Sequence, residues 1–161
     1  MRAISALGLL LLCCIPTLAG PIDRKTFSLT LPSDWTENTH DEMYNAEFFV
    51  FFEKGETGLF TVIIGDKSTG AIPEKVMRTQ EAGWRNRLTN VKFTDLHSWS
   101  RYKGIGVEIE GLMQDVVRVR TRIFAFQTDR YACVITESAS VHDWSSLESD
   151  FAQIRKSFRL K

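Results

Sequence analysis

Arg118, Arg120 and Arg122 recur at every second position, and the period of a strand puts three such guanidinium groups on one face. Guanidinium is a permanent cation with a planar fork of donors, so a row of them suits carboxylate or phosphate. Glu108 and Glu110 stand in the preceding segment, also two apart. In an antiparallel hairpin facing residues share a side, and Glu110 opposite Arg118 with Glu108 opposite Arg120 is one allowed register. The row then has two readings. It is a cross-strand ladder of ion pairs, each contributing about 0.2–1 kcal/mol. Or, because three cations meet two carboxylates, it is a site for an anion or an acidic partner.

Other chemistry-bearing groups are thinner. Asp34, Glu37, His40, Asp41 and Glu42 are oxygen and imidazole donors close in sequence, the kinds of ligand that hold a divalent cation. They lack the glycine and regular acid placement of an EF-hand, and a solvated acidic loop is the simpler reading. Ser138, Ser140, His142 and Asp143 hold nucleophile, base and acid types, but no strained nucleophile elbow accompanies them, and helix capping explains them. His97 has no second histidine at metal spacing. Gly104 and Gly106 fall between strands, whereas a phosphate loop must open a helix. Cys133 sits in an apolar run and is read as a small core hydrophobe. No cofactor is expected, and the chain is read as a non-enzyme.

The elements that must position these residues follow from periodicity. Residues 27–31 alternate apolar and polar up to Pro32, as a half-buried strand does. Residues 47–53 hold Phe48, Phe49, Val50, Phe51 and Phe52, a run continuous enough to predict a central strand buried on both faces. A glycine turn leads to a returning strand over 59–64. From Pro73 the period changes, and Val76, Met77, Trp84 and Leu88 predict a helix over 73–88. Four strands are expected next, at 91–100, 105–111, 116–127 and 131–137, with breaks at 102–104, 112–115 and 128–130. Such short connections imply an antiparallel meander. Trp144, Leu147, Phe151, Ile154 and Phe158 then mark an amphipathic helix, with Ser140 or Asp143 as its cap. The four tryptophans are read as core or rim residues.

The first residues carry a different signal. Arg2, an apolar stretch over 4–15, Pro16 and the small residues up to Ala19 form a cleavable leader over 1–19. Leu12 before Cys13, and Cys13 before Cys14, do not fit lipoprotein processing. The apolar stretch falls short of the ~20 residues a bilayer crossing needs, so no membrane span is expected. Cleavage would leave Cys133 without an intramolecular disulfide partner. The whole chain has 20 basic and 20 acidic residues. Losing Arg2 leaves nineteen against twenty, a near-neutral balance that argues against nucleic acid as a partner.

The opening string Phe27-Ser28-Leu29-Thr30-Leu31-Pro32-Ser33-Asp34-Trp35 resembles the start of PsbP-like and DcrB-like domains. The closing Phe151-Ala152-Gln153-Ile154-Arg155-Lys156-Ser157-Phe158-Arg159 resembles their final helix, and residues 131–138 resemble the strand that feeds it. This resemblance implies one α+β domain over 20–161, an antiparallel β-sheet with helices on both faces in a three-layer α/β/α sandwich. It brings no shared catalytic motif, so no functional residue carries over. It implies a non-enzymatic binding or assembly module acting through protein contacts, with another envelope or secreted protein as partner. Export by a Sec-type signal to the periplasm or secreted space is expected, and so short a leader argues against a chloroplast role. The alternative is a small anionic-ligand binder using Arg118, Arg120 and Arg122.

Overall fold

A computed structural model of the chain describes residues 20–38 and 49–161. The leader expected at 1–19, Phe48, and His40, Asp41 and Glu42 of the candidate metal cluster lie outside the described residues. In chain order the strands are β1 (Pro21–Asp23), β2 (Phe27–Thr30), β3 (Thr36–Asn38), β4 (Phe49–Lys54), β5 (Gly58–Asp66), β6 (Leu88–Trp99), β7 (Tyr102–Met113), β8 (Val117–Gln127), β9 (Tyr131–Ser140) and β10 (Arg159–Leu160). Helix α1 (Pro73–Arg85) lies between β5 and β6, and α2 (Val141–Ser157) follows β9.

The expected meander is present: β6, β7, β8 and β9 pair consecutively and antiparallel. They belong to a seven-stranded sheet ordered β3-β4-β5-β9-β8-β7-β6. The single sheet read from sequence is corrected to two, because β2 pairs with β1 and β10 in a separate three-stranded sheet. β10 reaches it directly from the end of α2, and Arg159 lies opposite Ser28. The edge strands β1 and β10, of three and two residues, hold too few positions to show a period.

Two alternating sets of side chains build the core. On β8, Phe124 and Phe126 join a cluster with Phe27, Phe52, Trp99, Phe151 and Phe158, the side on which α2 packs. Ile123 and Ala125, between and beside them, join Met77 of α1, Leu88, Ile109 and Val134. Successive strand residues point to opposite faces, so the two clusters draw on alternate residues of β8. Strand β4 corrects the expectation of burial on both faces. It lies next to the short outer strand β3; Val50 and Phe52 are buried toward α2, while Phe49 and Phe51 are half-buried. A strand so near the edge lies beyond the reach of α1, which packs on β6 to β9.

Turn geometry moved other boundaries. Helix α1 stops at Arg85 rather than 88: the Asn86 N–H closes on the Ala82 carbonyl and the Arg87 N–H on Trp84. Leu88 then opens β6, buried opposite Met113. The break expected at 102–104 falls at Ser100 and Arg101, since Trp99 already pairs with Tyr102 and Ser100 takes a left-handed φ of 55°. Gly104 serves close approach instead of a turn. A Cβ there would stand 2.1 Å from the Ala125 carbonyl oxygen.

Two glycines therefore predict opposite outcomes in denaturant unfolding. Gly104→Ala forces β7 off β8 and is expected to cost about 1–3 kcal/mol, as overpacking does. Gly83→Ala, where a Cβ meets nothing within 4 Å on α1, is expected to stabilise by about 0.5–1 kcal/mol.

Candidate functional site

The β7–β8 turn sets how the arginine face is wired. Gln114 and Asp115 both take left-handed φ values, 52° and 58°, and Met113 faces Val117. This puts Arg120 opposite Glu110 and Arg122 opposite Glu108, two residues on from the register read in sequence. The turn carries no Asn-Gly signal to mark its centre. The pairs read from sequence still touch, as diagonals: Arg118 to Glu110 at 3.1 Å and Arg120 to Glu108 at 3.8 Å. The directly opposed pairs are closer, 3.0 Å for Arg120 to Glu110 and 2.7 Å for Arg122 to Glu108.

The ladder does not end at two strands. Glu137 on β9 lies opposite Arg122 with no exposed surface at all. Its Oε1 accepts from the Trp99 indole N–H at 2.8 Å, and its Oε2 accepts from Arg155 of α2 at 2.6 Å. Arg122 approaches Oε2 at 3.7 Å and reaches Glu148 of α2 at 3.2 Å. Arg155 also donates to Glu148. The Trp144 ring lies under the guanidinium groups of Arg120, at 5.4 Å, and Arg122, at 4.8 Å, so indole faces add cation–π attraction. Four arginines thus meet four glutamates across three strands and a helix.

Burial pushes the Glu137 carboxyl up from its ordinary value, opposed by Arg155, the Trp99 N–H and Arg122. Glu110 is held below its ordinary value, first by the hydrogen bond from Arg120 and, against some burial, by that from Arg118. The two carboxylates differ because one is sealed and the other stands at the rim.

Sequence reading passed over Glu137, Glu148, Arg155 and the pairing role of Trp99. One signal was available: Glu137 shares the parity of the inward-facing Cys133 and Ile135. Glu148 and Arg155 flank the apolar stripe of α2 seven residues apart. Their meeting with Glu137 needs the fold.

The other residues singled out are dispersed. Glu37 is paired with Arg24 at 2.6 Å, and Asp34 lies 3.8 Å from Lys54. No cluster of metal-ligand type occurs among the described residues. The Ser138 hydroxyl is bonded to that of Thr121 at 2.8 Å. Ser140 caps α2, accepting from the Asp143 N–H at 3.0 Å. His142 and His97 are exposed. Cys133 is buried, which pushes its thiol well up and leaves it inert.

The described chain is an α+β protein of antiparallel sheets, and its fold is PsbP-like. No family model matches the sequence, and no curated protein matches it. Solved structures do. Cyanobacterial PsbP (CyanoP) from Synechocystis sp. PCC 6803 is 13% identical with a TM-score of 0.55, covering 100% of this chain and 99% of that one. LpqN, involved in cell envelope biogenesis of Mycobacterium tuberculosis, is 12% identical with a TM-score of 0.54, over 89% of this chain and 85% of its own. A Bacteroides thetaiotaomicron VPI-5482 protein is 12% identical with a TM-score of 0.52. That match covers 84% of this chain but only 45% of the Bacteroides chain. At these identities the likeness is one of fold.

Arg155→Ala is expected to cost about 3–5 kcal/mol in urea unfolding at pH 7, because it strips a buried carboxylate of its partner. Arg118→Ala, at the exposed end, is expected to cost less than about 1 kcal/mol. Equal losses would refute the hierarchy. In the Arg155→Ala protein Glu137 rises further above its unfolded value. A raised carboxyl contributes stability at low pH that is lost as pH climbs through the folded value, so the deficit should shrink from pH 7 to pH 5. Glu110 has the opposite sign. Its contribution is complete above its unfolded value and is lost as pH falls through the lowered folded value. Glu110→Gln should therefore flatten that part of the acid-unfolding curve.

Proposed function

We propose that the protein is an exported binding or assembly module, without catalytic activity of its own, that works by contact with another envelope or secreted protein. The observation that carries this reading is the wiring of its most concentrated ionisable cluster. A general acid or base needs an atom within reach of substrate. Both oxygens of Glu137 are engaged inside the fold, and Arg122 and Arg155 are engaged by glutamates. The cluster fastens the layers together, leaving the outer surfaces for recognition.

The leader over residues 1–19 and a single domain over 20–161 belong to the same reading. So does the three-layer α/β/α arrangement, supported by the alternation of helix-facing clusters along β8. Among the described residues no helix is long and apolar enough to cross a membrane. LpqN, of like fold, is involved in cell envelope biogenesis, which fits an exported role here. Affinity capture from native envelope and secreted fractions, after chemical crosslinking, is expected to enrich the same protein reproducibly. Recovery of no specific partner under several conditions would overturn the proposal.

A second reading, an anion site on Arg118, Arg120 and Arg122, is favoured by one observation. The Arg118 side chain is 44% exposed and shares Glu110 with Arg120. Thermal shifts across a panel of anions and acidic metabolites separate the two. If none stabilises the wild type more than the Arg118→Ala/Arg120→Ala protein, the anion reading falls.

A further inference from the structure

On the α1 side the sheet is open at one end. A cleft of about 530 Å³ lies between the β4–β5 turn, the β7–β8 turn and the C-terminal end of α1. Leu59, Trp84, Met113, Val117 and Val119 give it apolar walls. Val117 is 47% exposed and the neighbouring Val116 80%, an uncommon outlay of apolar surface at a hairpin tip. The floor includes Ser138, whose hydroxyl is already bonded to Thr121. The cleft therefore offers hydrophobic contact more than a set of waiting hydrogen bonds.

Its charge is one-sided. The ionisable residues lining it are Glu53 and Glu56, and neither is in an ion pair among the described residues. A cation beside an apolar group gains from both features, while an anion is repelled. The chain's own residues 39–48 carry Asp41, Glu42 and Glu47 and no lysine or arginine, so they do not supply the charge this rim favours. The cleft is also a trough rather than an enclosed cavity. A small ligand held there would stay largely wet, whereas good small-molecule sites bury about 70–90% of their ligand. A side chain presented by a larger surface needs no such enclosure.

We propose that this cleft docks a partner polypeptide through an apolar side chain with a lysine or arginine beside it. The proposal rests on the binding-module reading and gives that reading a surface and a partner chemistry. Glu53 and Glu56 supply the charge preference, and Trp84, Met113 and Val117 the apolar seat.

The test uses the full-length protein with isotope-labelled tryptophan indoles and methionine and valine methyls, followed by NMR. The probes are three capped peptides, Gly-Leu-Lys-Leu-Lys-Gly, Gly-Leu-Glu-Leu-Glu-Gly and Gly-Ser-Lys-Ser-Lys-Gly, and dodecyltrimethylammonium below micelle formation. The Leu-Lys peptide is expected to shift the signals of Trp84, Met113 and Val117 and to bind at least about tenfold tighter than the other two peptides. Glu53→Gln/Glu56→Gln, at surface positions, should weaken it about fivefold at low salt and make little difference near 0.5 M. Equal binding of the Leu-Lys and Leu-Glu peptides, an unchanged affinity in the double variant, shifts confined to another surface, or no binding would each overturn the proposal. So would dodecyltrimethylammonium binding as tightly at the same signals, which assigns the cleft to a cationic amphiphile. If the peptides fail while crosslinking captures a specific partner through another surface, the cleft assignment falls and the binding-module reading stands. If no partner is captured from any surface, that reading falls as well.

Discussion

A carboxylate with no exposed surface has to be answered inside the protein, and Glu137 is answered from three directions. Removing a charge from water costs several kcal/mol even after relaxation, and only well-placed partners offset it. Trp99 comes from the end of β6, Arg122 from β8 and Arg155 from α2. Each partner ties a different element to β9. If α2 moved away from the end of β9, Glu137 would lose Arg155 while remaining buried. The same indole that donates to Glu137 packs against Phe158 at 5.4 Å and Phe126 at 6.3 Å. Ring burial and charge pairing are therefore satisfied by one arrangement of Trp99.

Around this point the two hydrophobic clusters are finished unequally. The cluster around α2 takes in a 17-residue helix, the small sheet and a dense set of aromatic rings. The cluster around α1 has a single 13-residue helix, about 20 Å long at 1.5 Å per residue. Seven strands at a spacing of about 4.8 Å extend roughly 29 Å across. One helix about 10 Å in diameter cannot cover that surface. It packs on β6 to β9 and leaves uncovered a trough lined by Leu59 of β5 and by Met113 and Val117 at the β7–β8 turn. The same arithmetic explains why Phe49 and Phe51 are half-buried while Phe52 is sealed.

Much of this organisation is written in local patterns. The three-and-four spacing of Trp144, Leu147, Phe151 and Ile154 marks α2, and the Ser140 cap follows from side-chain chemistry within one turn of the chain. Alternation and punctuation mark β5 and the four-strand meander to within a few residues. Alternation also puts Arg118, Arg120 and Arg122 on one face without any knowledge of the fold. Less local questions went otherwise. Gly104 suggests a turn because glycine often makes one, whereas here it admits the Ala125 carbonyl of a neighbouring strand. The hairpin centre at Gln114 and Asp115 depends on left-handed backbone at residues that do not advertise it.

What the sequence determined by itself was therefore whatever depends on near neighbours: element types, their amphipathic faces, most of their order, and the arginine row. Tertiary structure decided the register, the second sheet and the role of Glu137. The reason is range. Glu137 and Arg155 are separated by 17 intervening residues, and Trp99 lies 38 positions from Glu137. Their energies exist only once the chain has brought them together, so no local pattern can carry them. A glutamate at the end of an apolar run looks like a strand terminus, and becomes a buried anchor only when α2 folds back over it.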